Sequence, residues 1–412
     1  MLNKTSFQSL SADELLEQFH LSRKYSTDLI LNLNAEDCQA QSMEDASPAK
    51  WHLAHVTWFY EVMVLKPFEA NFTYWNSEFA FLFNSYYNGI GDKHPRSKRG
   101  LLTRPSLVEV LEWRKNIEDR VAKLIKEQFS TELLSLIELG INHEQQHQEL
   151  LLTDIHHLFS NNSLFPAYAP QSHSISSSEK PFQWMKGVSG LVEAGFEGNG
   201  FHFDNEGPKH HALNQTHSIG NRLVSNAEWL QFIEDGGYQN FHWWLDAGWA
   251  WLEIEKISAP LYWNKDAQNQ LLRFSLDGNL PLDMHAPVSN ISYFEADAFS
   301  RWASQNLAGF AGARLPTEFE WEAFAKTNTE GSNDLFGKVW QWTSSNYNPY
   351  PGYQPWGGIA GEYNGKFMVN QMVLRGSSAY TPAGHSRVTY RNFFPTHARW
   401  QMTGLRLAKD GI

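Results

Sequence analysis

The sequence predicts an α+β protein of two domains, in which an N-terminal four-helix bundle precedes a C-terminal α+β domain with many loops. The chain has 412 residues, which suits two domains of ordinary size. Apolar residues recur with helical spacing up to about residue 160, whereas glycine, tryptophan and turn residues become frequent after a serine-rich segment at residues 171–180. No fixed-period repeat occurs, which argues against a solenoid.

Four helices are expected in the N-terminal part. The first begins at a capping box, Ser11–Glu14. The second, Trp51–Leu65, follows a Ser-Pro start signal and is apolar nearly all round, so we expect it to be buried. The third runs from Pro105 to about Glu127, and the fourth from about Ser130 to Phe159. One long connection between the second and third helices completes the predicted bundle. In the second part, helices are expected at Asn226–Asp235 and Tyr293–Asn306.

Composition excludes several classes of protein. Lys and Arg number 33 against 45 Asp and Glu, and the formal charge of −12 disfavours nucleic acid or an anionic membrane as partner. Aromatic residues reach 14%, which argues against disorder for most of the chain. Cys38 is the single cysteine, so neither an internal disulfide nor a two-cysteine metal site can form. With no apparent secretory signal or membrane span, we expect a soluble, cytoplasmic protein.

The predicted fourth helix contains the clearest chemical signal, His143-Glu-Gln-Gln-His147. Histidines four residues apart lie about 40° apart on one helix face, where both can bind one metal ion. A solvated polar face is the alternative, but the inward stripe of a bundle helix favours metal. The segment also matches HExxH, in which Glu144 would be the base of a zinc hydrolase. Leu150 and Thr153 replace the Gly and His of the extended protease motif, which counts against that alternative.

Further candidates come from two other segments. His52 and His55 on the second helix make three-histidine coordination plausible, although spacing alone does not choose among Zn, Cu, Fe and Ni. The connection after this helix contains Tyr86 and Tyr87 and then the basic stretch 94–100. It is either a solvated loop with packing tyrosines, or a lid that brings phenols and guanidinium groups over the metal to hold carboxylates.

The motifs together resemble a known family. His55 and the HEQQH segment resemble the ligand set of DinB-like iron proteins. Residues 204–206, 287–292, 314–318 and 339–343 resemble the formylglycine-generating-enzyme fold, which is C-type-lectin-like. In this order, the two halves resemble the ergothioneine-type sulfoxide synthases (EgtB family) over roughly residues 15–410. The implied domains are a DinB-like bundle at 1–170, a linker at 171–183 and a formylglycine-generating-enzyme-like domain at 184–412.

The resemblance implies a chemistry and a set of site residues. A non-haem iron(II), Fe(2+), would be held by His55, His143 and His147, leaving His52 behind the ligands at best. Such enzymes use O2 to join the sulfur of a cysteine-type thiol to C2 of the imidazole of hercynine, giving a sulfoxide. Gln146 matches a residue near the hercynine imidazole.

The remaining implied residues concern proton delivery and substrate binding. One of Tyr86 and Tyr87 would deliver a proton, and both are predicted to be catalytic. In the C-terminal part, Asn392 and Phe393 fall near the family's binding region for the trimethylammonium group. Phe394 stands where an aspartate is expected in the branch that prefers γ-glutamylcysteine, which favours free cysteine. Arg391 and Arg399 beside aromatic residues could bind a quaternary ammonium compound with a carboxylate, although core packing explains the aromatics as well.

Several alternatives stay open. True formylglycine generation uses a cysteine pair to bind copper in this part of the chain, and the C-terminal half has no cysteine. A selenoneine-type synthase, an ovothiol-type synthase, a HExxH zinc hydrolase and a pure binding module remain. The sequence does not give the oligomeric state.

Overall fold

The computed structural model describes residues 11–128, 130–169, 175, 180–328 and 334–411. The chain forms two compact units. The first comprises the chain up to Leu164 together with two later segments, Gly198–His202 and Pro355–Asn364. The second comprises Phe165–Glu197, Phe203–Gln354 and the chain from Gly365 onward. The sequence analysis had assigned both later segments to the second domain. Most of the predicted linker, residues 171–174 and 176–179, lies outside the described residues.

The first unit is a helical bundle. Its helices are α1 Ala12–Asp28, α2 Ala35–Gln39, α3 Ala49–Phe59, α4 Lys66–Phe68, α5 Phe79–Leu82, α6 Leu107–Glu127 and α7 Thr131–Ser160. The four long helices α1, α3, α6 and α7 pack against one another, which confirms the predicted bundle. Capping boxes start α1 at Ser11 and α6 at Ser106, and the Ser130 side chain caps α7.

The second predicted helix differs from its prediction in one respect. α3 is buried along its whole length, as expected, but it widens into a π-helix at Tyr60–Leu65. The neighbouring α7 approaches closely here, because a Cβ atom at Gly140 would lie 2.6 Å from the Tyr60 ring. The glycine therefore makes room for the Tyr60 side chain beside the wider turn. Such π-helical turns are frequent near functional sites.

The second unit mixes helices and short strands. Its helices are α8 Asn226–Glu234, α9 Asp246–Glu255, α10 Tyr293–Asn306 and α11 Glu318–Thr327. Its strands are β1 Trp184–Lys186, β2 Gly190–Ala194, β3 His210–Asn214, β4 His217–Gly220, β5 Trp263–Lys265, β6 Leu271–Ser275, β7 Gly278–Pro281, β8 Ala313–Arg314, β9 Trp340–Asn346, β10 Gln371–Gly376, β11 Asn392–Pro395, β12 Thr403–Leu405 and β13 Ala408–Asp410. This composition confirms the predicted α+β class.

The strands form four small sheets. Two have four strands, in the orders β1-β4-β13-β8 and β11-β10-β9-β12, and the others are β2-β3 and β5-β6-β7. All pairings among the described strands are antiparallel except that of β12 with β9. Ile219, Trp321 and Phe324 are fully buried in one core cluster, where α11 packs near both larger sheets. No described helix is long and apolar enough to cross a membrane.

Candidate metal centre

Three histidines converge inside the bundle. His55 on α3 and His143 and His147 on α7 each offer one ring nitrogen, and these nitrogens all lie within 4.8 Å of one another. His55 and His143 are fully buried, and His147 is partly buried. The structure thus brings the three predicted ligand residues to one point, at a spacing suited to a shared metal ion.

The orientation of the His55 ring is fixed by its protein neighbours alone. It is stacked between Trp51 and Trp58, with ring centroids 4.7 and 5.5 Å away. Its Nδ1 lies 2.7 Å from the Phe83 carbonyl oxygen, which can only accept, so Nδ1 carries the hydrogen. Nε2 is then a bare lone pair, and it is buried with no hydrogen-bond partner among the described residues. Burial, and then the neighbouring His143, lower the His55 pKa well below its usual value, so the ring stays neutral.

His143 is the least satisfied of the three. Both of its ring nitrogens are buried and have no hydrogen-bond partner in the described part of the chain. Burial lowers its pKa to about 3, so it is neutral at physiological pH. Leaving such groups unpaired costs free energy unless something binds them. The unpaired nitrogens of His55 and His143, together with three neutral imidazoles, fit a transition-metal ion.

His147 differs because a second histidine supports it. His52 Nδ1 lies 2.9 Å from His147 Nδ1, and His52 Nε2 lies 3.0 Å from a carboxylate oxygen of Asp154. His52 therefore lies behind the three-histidine cluster, where the sequence analysis placed it. Burial is the main cause that lowers the His147 pKa well below its usual value, with the nearby His143 and His55 adding to it.

Glu144 faces away from the histidines. Its carboxylate accepts hydrogen bonds from Arg23 at 3.0 Å, from Ser26 at 2.6 Å and from Arg114, and it is completely buried. Burial alone would raise its pKa, but Arg114 and Arg23 outweigh burial and lower the pKa to about 2. A carboxylate held by two arginines is a poor general base. These contacts count against the hydrolase alternative, which needs Glu144 in that role.

The tyrosine loop is well ordered by its own contacts. The Asn84 side chain accepts a hydrogen bond from the Tyr87 amide at 3.0 Å and donates to the Tyr87 carbonyl at 2.9 Å. The Tyr86 and Tyr87 rings are stacked at 4.6 Å, and Tyr87 in turn lies 5.5 Å from the Trp58 ring. Burial raises the Tyr87 pKa well above its usual value, so its phenol keeps its proton. The loop therefore presents the protonated Tyr87 phenol beside the aromatic stack that contains His55.

A third tyrosine, which sequence analysis missed, belongs to the same unit. Tyr363 lies on the segment Pro355–Asn364 and donates a hydrogen bond to Gln146. Its ring is 6.3 Å from Tyr86 and 5.8 Å from His143. The preceding Glu362 accepts hydrogen bonds from the Asn88 and Gly89 amides at 2.9 and 2.8 Å. No local pattern signals these contacts, because the partners are more than 200 residues apart in the chain.

Arg391 and Arg399 lie in the second unit and already have acidic partners. Arg391 forms a two-point ion pair with Glu318, at 2.8 and 3.0 Å, and its side chain is nearly fully buried. Arg399 lies 3.3 Å from Glu295 and donates to the Ala259 carbonyl. These contacts favour a structural role for both arginines. Their predicted substrate contact stays a prediction.

Three further predicted substrate residues, Asn392, Phe393 and Phe394, lie on β11 and are half-buried. The Phe393 ring stacks on Tyr347 at 4.0 Å, and Phe394 lies 6.4 Å from the Trp400 ring. The Asn392 side chain accepts a hydrogen bond from the Phe393 amide. These contacts are all within the second unit, and the substrate-binding role of the three residues stays a prediction.

Comparisons with known proteins agree with this architecture. The sulfatase-modifying factor enzyme 1-like domain matches residues 180–333 and 323–411, and the DinB superfamily matches residues 18–151. The chain is 30% identical to a hercynine oxygenase of Mycolicibacterium thermoresistibile over 321 residues, which cover 66% of this chain and 68% of that protein. The hercynine oxygenase of Mycolicibacterium smegmatis is also 30% identical, over 323 residues, 66% of this chain and 71% of the relative.

A more distant relative is a fungal protein. Ergothioneine biosynthesis protein 1 of Schizosaccharomyces pombe is 27% identical over 241 residues, which cover 51% of this chain and 28% of that protein. Together with the domain matches, these relatives confirm the resemblance inferred from the sequence motifs and the order of the two predicted folds.

Proposed function

Since this chain belongs to the hercynine oxygenase family, we propose that it is an iron(II)- and O2-dependent sulfoxide synthase of ergothioneine biosynthesis. It joins the sulfur of a cysteine-type thiol to C2 of the hercynine imidazole. The thiol loses its hydrogen and C2 loses its hydrogen. One oxygen atom of O2 remains on sulfur and the other leaves as water, so atoms and electrons balance.

One observation carries this proposal: three neutral imidazoles converge, and those of His55 and His143 are buried with ring nitrogens that have no hydrogen-bond partner among the residues the structure describes. Three protein ligands leave further coordination positions for substrates. Fe(2+), when bound, supplies the O2 and one-electron chemistry that zinc cannot. His55, His143 and His147 would hold it, and their rings are kept neutral and oriented by the packing described above.

The bundle also offers groups for the substrates. Gln146 and Tyr363 form a hydrogen-bonded pair beside His143, and this pair is suited to orienting the hercynine imidazole. Arg99 donates to the Ser47 and Ser85 hydroxyls at 2.8 and 3.0 Å, and it forms no ion pair within the described part of the chain. A buried guanidinium with hydroxyl partners is suited to holding a substrate carboxylate.

Several finer points belong to this proposal. Phe394, in place of an acidic residue, favours free cysteine over γ-glutamylcysteine as the thiol. Asn392 and Phe393 are proposed to contact the trimethylammonium group of hercynine. Tyr86 and Tyr87 are proposed as the catalytic phenols, and the cytoplasmic location stays a prediction.

The test is a product analysis on anaerobically purified protein. Metal analysis should find iron, and hercynine with cysteine and O2 should give the C2-linked sulfoxide by mass spectrometry. Parallel reactions with γ-glutamylcysteine and with a selenosugar identify the donor, and the position of the new bond separates an ovothiol-type product. Tightly bound zinc with no O2-dependent product from any donor would contradict the proposal.

A further inference from the structure

A continuous hydrogen-bonded chain runs behind one of the three clustered histidines. Asp154 accepts from His52 Nε2 at 3.0 Å, and His52 Nδ1 lies 2.9 Å from His147 Nδ1. His52 and Asp154 are both buried, with side chains 4% and 8% exposed. The same Asp154 oxygen accepts the Ser47 backbone amide at 2.8 Å, which fixes the carboxylate at the start of α3. The family resemblance places His52 behind the ligands at best without giving it a task, and it assigns none to Asp154.

The partners determine where the hydrogens lie along this chain. The Asp154 oxygen that contacts His52 also accepts the Ser47 amide, so it acts as an acceptor and His52 carries its hydrogen on Nε2. With this one hydrogen on its ring, His52 has a bare Nδ1, which accepts a hydrogen from His147 Nδ1. With its hydrogen on Nδ1, His147 has a bare Nε2 to offer a metal ion. This arrangement satisfies both short contacts and leaves a metal-binding nitrogen free.

We propose that His52 and Asp154 are positioning residues for the metal centre: they hold His147 in the tautomer that coordinates through Nε2 and strengthen that nitrogen as a donor. This inference rests on the three-histidine metal site of the proposed function. A carboxylate behind a ligating histidine fixes its ring and raises its basicity. Here a second imidazole extends that arrangement by one step, so that Asp154 acts on His147 without touching it.

The three histidines differ in the hydrogen-bond partner behind each ring, and this difference strengthens the inference. His55 relies on the Phe83 carbonyl, a neutral acceptor. His143 has no hydrogen-bond partner among the described residues. Among the hydrogen bonds of the described residues, only His147 of the three is connected to a buried carboxylate. A chain that served merely to fasten α3 to α7 would not need two imidazoles in defined tautomers, since the Ser47–Asp154 contact already joins α7 to the segment just before α3.

The experiment measures Co(II) binding to the metal-free full chain by visible absorption, so it does not depend on turnover. His52→Leu removes the acceptor for His147 and should weaken Co(II) affinity about 10- to 100-fold. His52→Gln offers a carbonyl oxygen to His147 and an amide hydrogen to Asp154, and should restore affinity to within a few-fold of wild type. The matched control is His20→Leu, which removes a histidine of α1 in the same bundle whose Nδ1 lies 3.1 Å from a carboxylate oxygen of Glu118. Its Co(II) affinity should not change.

The outcomes separate the positioning role from the metal site. Wild-type affinity in His52→Leu, with affinity lost in His147→Ala, would overturn the positioning role alone. Wild-type affinity in both variants would overturn the metal site and the inference with it. Should His52→Leu not fold, the decisive measurement is the 15N NMR spectrum of the Zn(II)-loaded wild-type imidazoles. His52 should be protonated on Nε2 and His147 on Nδ1, and any other pair of tautomers contradicts the proposal.

Discussion

Two faces of α7 place neighbouring residues of one short motif in opposite environments. On one face, the ring nitrogens of His143 are buried and unpaired within the described residues, close to His55 and His147. On the other face, Glu144 is equally buried, but two arginines and a serine satisfy its carboxylate. Burial is the same, and only the hydrogen bonding differs. Unsatisfied buried groups indicate a binding site, whereas satisfied ones indicate structure. A motif match alone cannot make this distinction.

The largest expected effect comes from the histidine face. His55→Ala and His147→Ala each remove one of three ligands, so both variants should lose nearly all iron and all sulfoxide formation. Metal analysis of the purified proteins and product analysis by mass spectrometry check this. Glu144→Gln, on the same helix as His147, serves as the control, and the folded variant should retain iron. Retention of iron by His55→Ala would show that the metal lies elsewhere.

The Glu144 face should respond in stability. Glu144→Gln leaves the buried Arg23 and Arg114 without their carboxylate, which should lower the free energy of unfolding by about 3–5 kcal/mol. Urea unfolding measures this. The folded variant should still form sulfoxide, because Glu144 does not face the clustered histidines. Unchanged stability together with lost activity would mean that the two faces have been assigned the wrong way round.

The same ion pairs predict a dependence on pH. The folded-state pKa of Glu144 is about 2, below the ordinary value of 4.5, so its contribution to stability is present above about pH 4.5 and is lost as pH falls toward 2. Unfolding of metal-free wild type and Glu144→Gln from about pH 5 to about pH 2.5 should therefore show the difference in stability shrinking with acid. A difference that stays constant over this range would contradict the low pKa.

Sequence reasoning succeeded where the determinants are local. Caps and apolar spacing predicted where the four long helices begin to within about two residues, and α10 begins and ends as predicted, at Tyr293 and Asn306. α9 and α11 were missed, because short helices with several aromatic residues carry a weak periodic signal. The π-helix at Tyr60–Leu65 was not predicted, and the room that Gly140 on another helix leaves for the Tyr60 ring is recorded by no local pattern.

In the candidate site, too, the residues set by local sequence could be predicted and those set by distant parts of the chain could not. The histidines on α7 could be predicted because helical spacing determines which residues share a face. The positions of Glu362 and Tyr363 depend on a segment that returns to the first unit late in the chain. Its contacts with the tyrosine loop and with Gln146 arise only in the folded protein. The environment of Glu144 also required the structure, since Arg23 and Arg114 come from two other helices.

The smallest expected effect on metal binding and stability belongs to Tyr86, Tyr87 and Tyr363, none of which is a predicted metal ligand. Tyr86→Phe, Tyr87→Phe and Tyr363→Phe each keep the ring and remove only the hydroxyl. Iron content and hercynine binding should therefore stay near wild type for Tyr86→Phe and Tyr87→Phe. Tyr363→Phe should weaken hercynine binding, because Gln146 loses its partner.

The readout for these variants is the ratio of two products. Sulfoxide formation releases one oxygen atom of O2 as water, and this oxygen needs a proton at the moment it leaves. The competing oxidation of cysteine to its sulfinic acid keeps both oxygen atoms on sulfur and needs no such proton. Loss of the donating phenol should therefore shift the products toward cysteine sulfinate. We expect this shift for one of Tyr86→Phe and Tyr87→Phe, whose hydroxyls lie 3.5 Å apart. If Tyr86 and Tyr87 only pack the loop, both of their variants will lose stability and keep the wild-type product ratio. A product ratio that changes only in Tyr363→Phe would identify Tyr363 as the proton donor instead.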